Sequence, residues 1–158
     1  MDNYLHNELC YNCNDTDIDF DTMIIEKNLI VNCCYFCNIV LNFNNYHMGK
    51  AIICKTNLLQ NDIILKTQQF IKQFKRFPLI NEIDNKCYFV KLSCLKFSEI
   101  IKTNKLKNFC FFFLPKNYTK YNEIFNMPHY NLTNEEQQIY NNYIFNKRKE
   151  ISEIIKFL

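Results

Sequence analysis

Four of the nine cysteines fall into two short runs that nearly repeat each other, Cys10-Tyr11-Asn12-Cys13-Asn14 and Cys34-Tyr35-Phe36-Cys37-Asn38. A Cys-x-x-Cys loop turns tightly enough to offer two thiolates to one metal ion, and two such loops complete a tetrahedral shell of four sulfurs. Twenty residues separate Cys13 from Cys34, room for a hairpin between the knuckles. The pattern predicts one Zn2+ held by Cys10, Cys13, Cys34 and Cys37. An iron–sulfur centre and redox-active dithiols are the other chemistries that paired thiolates support. Cys33 offers a competing Cys-x-x-x-Cys spacing with Cys37, but the symmetry of the two knuckles favours Cys34. A closed four-thiolate shell has no open position for a substrate, so this metal is expected to contribute folding energy and not chemistry.

The elements that must position these cysteines can be read from the residues between them. Asp17-Ile18-Asp19-Phe20-Asp21 alternates as a strand does, and Met23-Ile24-Ile25 continues it. Glu26-Lys27-Asn28 reads as a turn, Leu29-Ile30-Val31 as the return strand, and Asn38-Ile39-Val40-Leu41-Asn42-Phe43 as a third strand. Asn14 and Asn38 each follow a knuckle, where a left-handed backbone is common and asparagine is the side chain that best tolerates it.

Beyond the knuckles, Asn44 to Lys50 reads as a linker. A helix is predicted from about Leu58 to Phe77, with Leu59, Ile63, Ile64, Phe70, Ile71, Phe74 and Phe77 on one face and Pro78 as its stop. Residues 86–101 fit either a helix or a strand. Phe109 to Leu114 suits a buried strand or the start of a buried helix, stopped by Pro115. Thr133-Asn134-Glu135-Glu136 is a capping box, and Tyr140, Tyr143, Ile144, Ile151, Ile154, Ile155 and Leu158 form the apolar stripe of a last helix. The expected fold class is α+β: a small three-stranded, four-cysteine zinc ribbon over residues 8–46, then a mainly α-helical basic domain over 55–158.

With 158 residues and 48% hydrophobic content, the chain has material for a real core. No apolar run approaches the roughly 20 residues needed to cross a bilayer, and the first residues lack the pattern of a signal peptide. The odd cysteine count and paired knuckles point to a reducing, intracellular compartment. The net charge of +3 hides an asymmetry. Asp2, Glu8, Asp15, Asp17, Asp19, Asp21 and Glu26 stand against Lys27 alone in the first 46 residues, while from residue 47 on Lys and Arg outnumber Asp and Glu two to one. An acidic metal module therefore precedes a basic domain.

Three basic clusters are candidates for phosphate contact: Lys72/Lys75/Arg76, Lys102/Lys105/Lys107 and Lys147/Arg148/Lys149. An ordinary solvated helix face is the better explanation of any one of them taken alone; the charge division shifts the domain as a whole toward DNA or RNA. Cys54, Cys87, Cys94 and Cys110 read as buried apolar residues. His6, His47 and His129 are scattered, and one Gly excludes a Gly-rich phosphate loop. The residues make no case for an enzyme.

The knuckles and the run Leu29-Ile30-Val31-Asn32-Cys33-Cys34-Tyr35-Phe36-Cys37-Asn38-Ile39-Val40-Leu41 resemble the N-terminal zinc ribbon of the transcription factor IIB family. Asn replaces both of that family's glycines, and Tyr11 and Tyr35 stand at its usual proline. The resemblance covers about a quarter of the chain, and the paired cyclin-like repeats of the family are missing. The small ribbon-plus-helical layout is also similar to the poxvirus-type late transcription factors of large DNA viruses. These resemblances imply a ribbon that docks on RNA polymerase or another transcription protein, and a cytoplasmic, viral-factory or nuclear setting without a membrane. A structural or assembly adaptor and a zinc-containing nuclease are the other functions kept in view.

Overall fold

The computed structural model describes residues 9–13, 20–26, 29–101, 106–115 and 126–143. The alternating segment after the first knuckle forms β1 (Phe20–Glu26), which pairs antiparallel with β2 (Leu29–Cys34). The register runs from Phe20 opposite Cys34 to Glu26 opposite Leu29. The predicted turn residues Lys27 and Asn28, and also Asn14 and Asp17 to Asp19, lie outside the described residues. The Tyr11 N–H donates to the Asn32 carbonyl at 2.8 Å, which fastens the first knuckle to β2.

The expected third strand is a helix, α1 (Tyr35–Leu41). Cys34 is its N-cap, and the Cys34 sulfur accepts the Cys37 N–H at 3.4 Å, as a serine or aspartate oxygen would. Phe36, Ile39, Val40 and Phe43 recur at helical spacing, and Phe36 and Ile39 are fully buried. Strand propensity in Ile39-Val40-Leu41 loses to that burial. Asn38 consequently lies inside a helix and not in the left-handed region; among the described residues only Lys75, Asn108 and Gly49 have positive φ.

The rest of the chain is organised by a sheet that composition alone does not announce. β3 (Ala51–Lys55) is its central strand, flanked by β4 (Tyr88–Val90) and β5 (Phe109–Phe113), both antiparallel to it. Gly49, at φ +82, makes the turn into β3. β5 is buried along its whole length. Phe111 stacks on Phe43 at 5.4 Å and meets Phe97 edge-on at 5.3 Å. Phe113 packs on Phe36 of α1 at 4.8 Å, so a residue beside the second knuckle belongs to the same core as the sheet.

Helix α2 (Gln60–Phe74) lies within the predicted 58–77 and turns Ile63, Ile64, Thr67 and Gln68 inward. It stops where Lys75 takes φ 57, before Pro78 is reached. A short α3 (Ile80–Ile83) follows. The ambiguous segment 86–101 is strand and then helix: β4 and α4 (Cys94–Ile101).

Both outer edges of the sheet meet further hydrogen-bonding groups, one of the ways an edge strand is protected. Residues 128–130 run beside β4, with Phe89 N–H donating to Pro128 O at 2.9 Å and Tyr130 N–H to Phe89 O at 2.8 Å. On β5, the Gln60 side-chain amide acts as one more strand residue: its Oε1 accepts the Phe111 N–H at 2.7 Å and its Nε2 donates to the Phe111 carbonyl at 2.9 Å.

The capping box is formed as expected. Thr133 N–H donates to Glu136 Oε1 at 2.9 Å and Glu136 N–H to Thr133 Oγ1 at 3.1 Å, at the start of α5 (134–143). Glu136 also accepts from Lys55 Nζ at 3.2 Å and Tyr130 OH at 2.6 Å, tying α5 to the sheet. Ile144 and the rest of the predicted stripe lie outside the described residues.

Burial pushes the Glu136 carboxyl upward, but its bonds from Tyr130, Thr133 and Lys55 leave it below the ordinary value. A carboxyl lowered on folding stabilises the native state above its unfolded pKa and ceases to do so as pH falls through its folded one. Glu136→Ala should therefore cost about 1–3 kcal/mol at neutral pH, with the difference from wild type shrinking below about pH 4, as measured by denaturant unfolding.

Candidate metal centre

The first knuckle, tied to β2, and the capped first turn of α1 bring Cys10, Cys13, Cys34 and Cys37 together. Their four sulfurs all lie within 4.8 Å of one another, and Cys10, Cys34 and Cys37 are fully buried. A tetrahedral thiolate site with metal–sulfur bonds of about 2.3 Å has sulfurs about 3.8 Å apart. Cys13 Sγ and Cys34 Sγ, one from each pair, are 3.8 Å apart, too far for a disulfide and right for a shared ion. The cluster is compatible with a single zinc site. Cys33, although buried beside it, is not one of the four; burial, together with the charges of Cys10 and Cys34, pushes its thiol strongly up. Among the described residues no other group of His, Cys, Asp or Glu converges in this way.

Each of the four sulfurs receives an N–H. Cys10 Sγ accepts from the Cys34 backbone at 3.3 Å, and Cys37 Sγ from Asn12 Nδ2 at 3.4 Å. Cys34 Sγ accepts from the Cys37 backbone, and Gln68 Nε2 donates to both Cys13 Sγ at 3.1 Å and Cys34 Sγ at 3.4 Å. Donors aimed at sulfur stabilise thiolate over thiol. The Cys34 thiol is pulled down, first by the bond from the Cys37 thiol and, against burial, by the Cys37 N–H and by Cys13 and Cys10. Cys37 is pushed strongly up because it donates to Cys34 and is itself buried.

The remaining cysteines behave as apolar side chains. Cys54, Cys87 and Cys110 are buried, and burial pushes the Cys94 thiol up to about 11 and the Cys110 thiol up to about 12. Lys72 and Lys75 lie at the end of α2 with Lys75 exposed, and Arg76 forms two bonds to Glu82, at 2.9 and 2.7 Å, while its guanidinium stacks 4.7 Å from the Phe70 ring. Lys147, Arg148 and Lys149 lie outside the described residues, as do Lys102 and Lys105; Lys107 is exposed.

Asn12 and Gln68 escaped the sequence reading. Asn12 sits inside a Cys-x-x-Cys loop, and Gln68 interrupts an apolar stripe between Ile64 and Ile71, the one signal that could have marked it. No protein-family model, curated protein or solved structure matches the chain.

Cobalt(II) added to the reduced full chain should bind one to one, with the intense thiolate-to-metal absorption of a four-sulfur site. Cys34→Ser should weaken or abolish that band, whereas Cys87→Ser and Cys94→Ser should leave its intensity and stoichiometry unchanged.

Proposed function

We propose that this chain is a zinc-structured transcription protein that associates with RNA polymerase, its four-cysteine module docking on protein and its basic remainder contacting DNA or RNA. The observation that carries the zinc is the cluster of four mutually close sulfurs, each met by an N–H. Zn2+ suits four thiolates in tetrahedral array, and a filled shell leaves the metal structural. The transcription class rests on the resemblance of the knuckles and hairpin to the factor IIB ribbon, since α1 replaces the third strand. Charge supports the division of labour: the acidic first segment is repelled by phosphate and suited to protein, while the excess of Lys and Arg lies after residue 46.

One observation favours a second reading, an assembly adaptor without nucleic-acid contact. Arg76 is already neutralised by Glu82, which removes one cation from the best-defined basic cluster. Salt separates the two, because phosphate contacts make affinity fall steeply with ionic strength.

Affinity capture of the full chain from its native host should retain polymerase subunits, and Cys34→Ser or chelation should release them. Persistence of normal polymerase binding after either treatment would sink the docking role. Binding to single- or double-stranded nucleic acid should weaken by tens-fold or more between about 50 and 200 mM salt if several phosphates are contacted, on the order of the counterion-release effect. Salt-independent or absent binding selects the adaptor.

A further inference from the structure

We propose that Gln68 is a positioning residue of the metal centre, and that through it helix α2 joins the metal site to the sheet. The inference rests on the metal-binding reading above. Gln68 is 55 positions from Cys13 in the chain, yet its Nε2 lies 3.1 Å from Cys13 Sγ and 3.4 Å from Cys34 Sγ. A primary amide nitrogen has two hydrogens, and here each has a sulfur to point at. The two sulfurs belong to different knuckles, so one side chain holds one ligand of each pair. Only the nitrogen end of the amide can serve, because a thiolate accepts and does not donate.

Burial argues that the contact is selected for its chemistry. Gln68 is 2% exposed, on the inward face of α2 beside Ile64 and Thr67. An amide placed there without partners is destabilising, and a leucine or methionine would fill the space without that cost. The charge of the site supplies the reason. Four thiolates around one divalent cation leave two negative charges in a buried place, and N–H donors are what offsets them. The other donors, Asn12 and the backbone of Cys34 and Cys37, belong to the knuckles themselves. Gln68 brings a donor from the helix that covers the sheet.

The same helix carries the sheet's edge clamp. Gln60, bonded to both Phe111 N–H and Phe111 carbonyl, lies eight residues before Gln68, about 12 Å along the axis. α2 is thus a strut with one glutamine on the metal ligands and another on β5. Filling the metal site fixes Cys13 and Cys34, which fixes Gln68, which holds α2 against β5. Loss of the metal removes the anionic acceptors and loosens both attachments.

The test uses the full chain loaded with zinc, cobalt or cadmium. In the cadmium-loaded wild type, the Gln68 side-chain amide protons should show scalar coupling to the metal through the N–H···S bonds. Gln68→Met, close in shape but without a donor, should keep the four-sulfur cobalt spectrum with shifted band energies, and zinc affinity should fall about 10- to 100-fold. Gln68→Glu, which sets a carboxylate against thiolates, should fall further. Hydrogen exchange at the Phe111 amide should quicken on chelation in the wild type. No coupling in the loaded wild type overturns the role of Gln68 while leaving the metal site intact, and so does unchanged affinity and spectrum in Gln68→Met. Failure of the wild type to bind metal at the four cysteines overturns both. Because the coupling is read in the wild type, a variant that fails to fold does not remove the decision.

Discussion

Four cysteine sulfurs within 4.8 Å of one another, three of them fully buried, are a constraint that the surrounding chain must satisfy. As thiolates they repel each other in a medium that screens poorly; as thiols they need acceptors. Both solutions need polar groups aimed inward, and the chain provides them from three places: the knuckle side chain Asn12, the backbone of Cys34 and Cys37, and Gln68 of α2. The proposed Zn2+ takes two of the four charges, and the donors distribute the rest. The local path of the chain follows from this. Cys34 must present its sulfur to the Cys37 N–H, and that bond is a helix cap, so the second knuckle starts α1.

What α1 does next couples the metal module to the rest of the molecule. A two-stranded hairpin such as β1–β2 has little stability alone. The apolar residues carried just past the hairpin, Tyr35, Phe36 and Ile39, are buried, and Phe36 packs on Phe77 and Phe113. Two cysteines of the cluster, Cys34 and Cys37, and the core residues Phe36 and Ile39 therefore lie within one short helix and its cap. Changing the helix's orientation would disturb the sulfurs and the aromatic core together. This is why a strand-like run, Ile39-Val40-Leu41, folds as a helix here: Cys34 caps the turn through the Cys37 N–H, and Phe36 and Ile39, three residues apart, are buried together.

The parts of the fold that were legible in the sequence are those decided locally. Cysteine spacing, the Thr133/Glu136 capping box, the apolar stripe of α2 and the all-apolar β5 each depend on residues within a turn or two of one another. The parts that were not legible depend on partners distant in the chain. Ala51-Ile52-Ile53-Cys54 is too short and too uniformly apolar to announce a strand, and becomes one because 88–90 and 109–113 pair with it. Gln68 looks like a flaw in an amphipathic pattern until sulfurs from residues 13 and 34 are placed against it. Arg76 reads as a free cation in a basic cluster; Glu82, across the turn after α2, neutralises it.

Several polar side chains of this protein, Gln68 buried and Gln60, Lys55 and Glu136 half-buried, each make more than one attachment. Gln60 fixes the start of α2 and Gln68 its middle; Glu136 caps α5 with one oxygen and reaches Lys55 of β3 with the other. Lys55, in turn, lies over the rings of Phe109 and Tyr130, at 4.5 and 5.0 Å, so its charge is met by a carboxylate and by two aromatic faces. Apolar burial gives the core its cohesion but sets orientation poorly, because greasy surfaces slide. Directional bonds at both ends of an element remove that freedom. In this chain the most demanding of those bonds converge on the four sulfurs, where a shift of a few tenths of an ångström separates a site that fits a metal from one that does not.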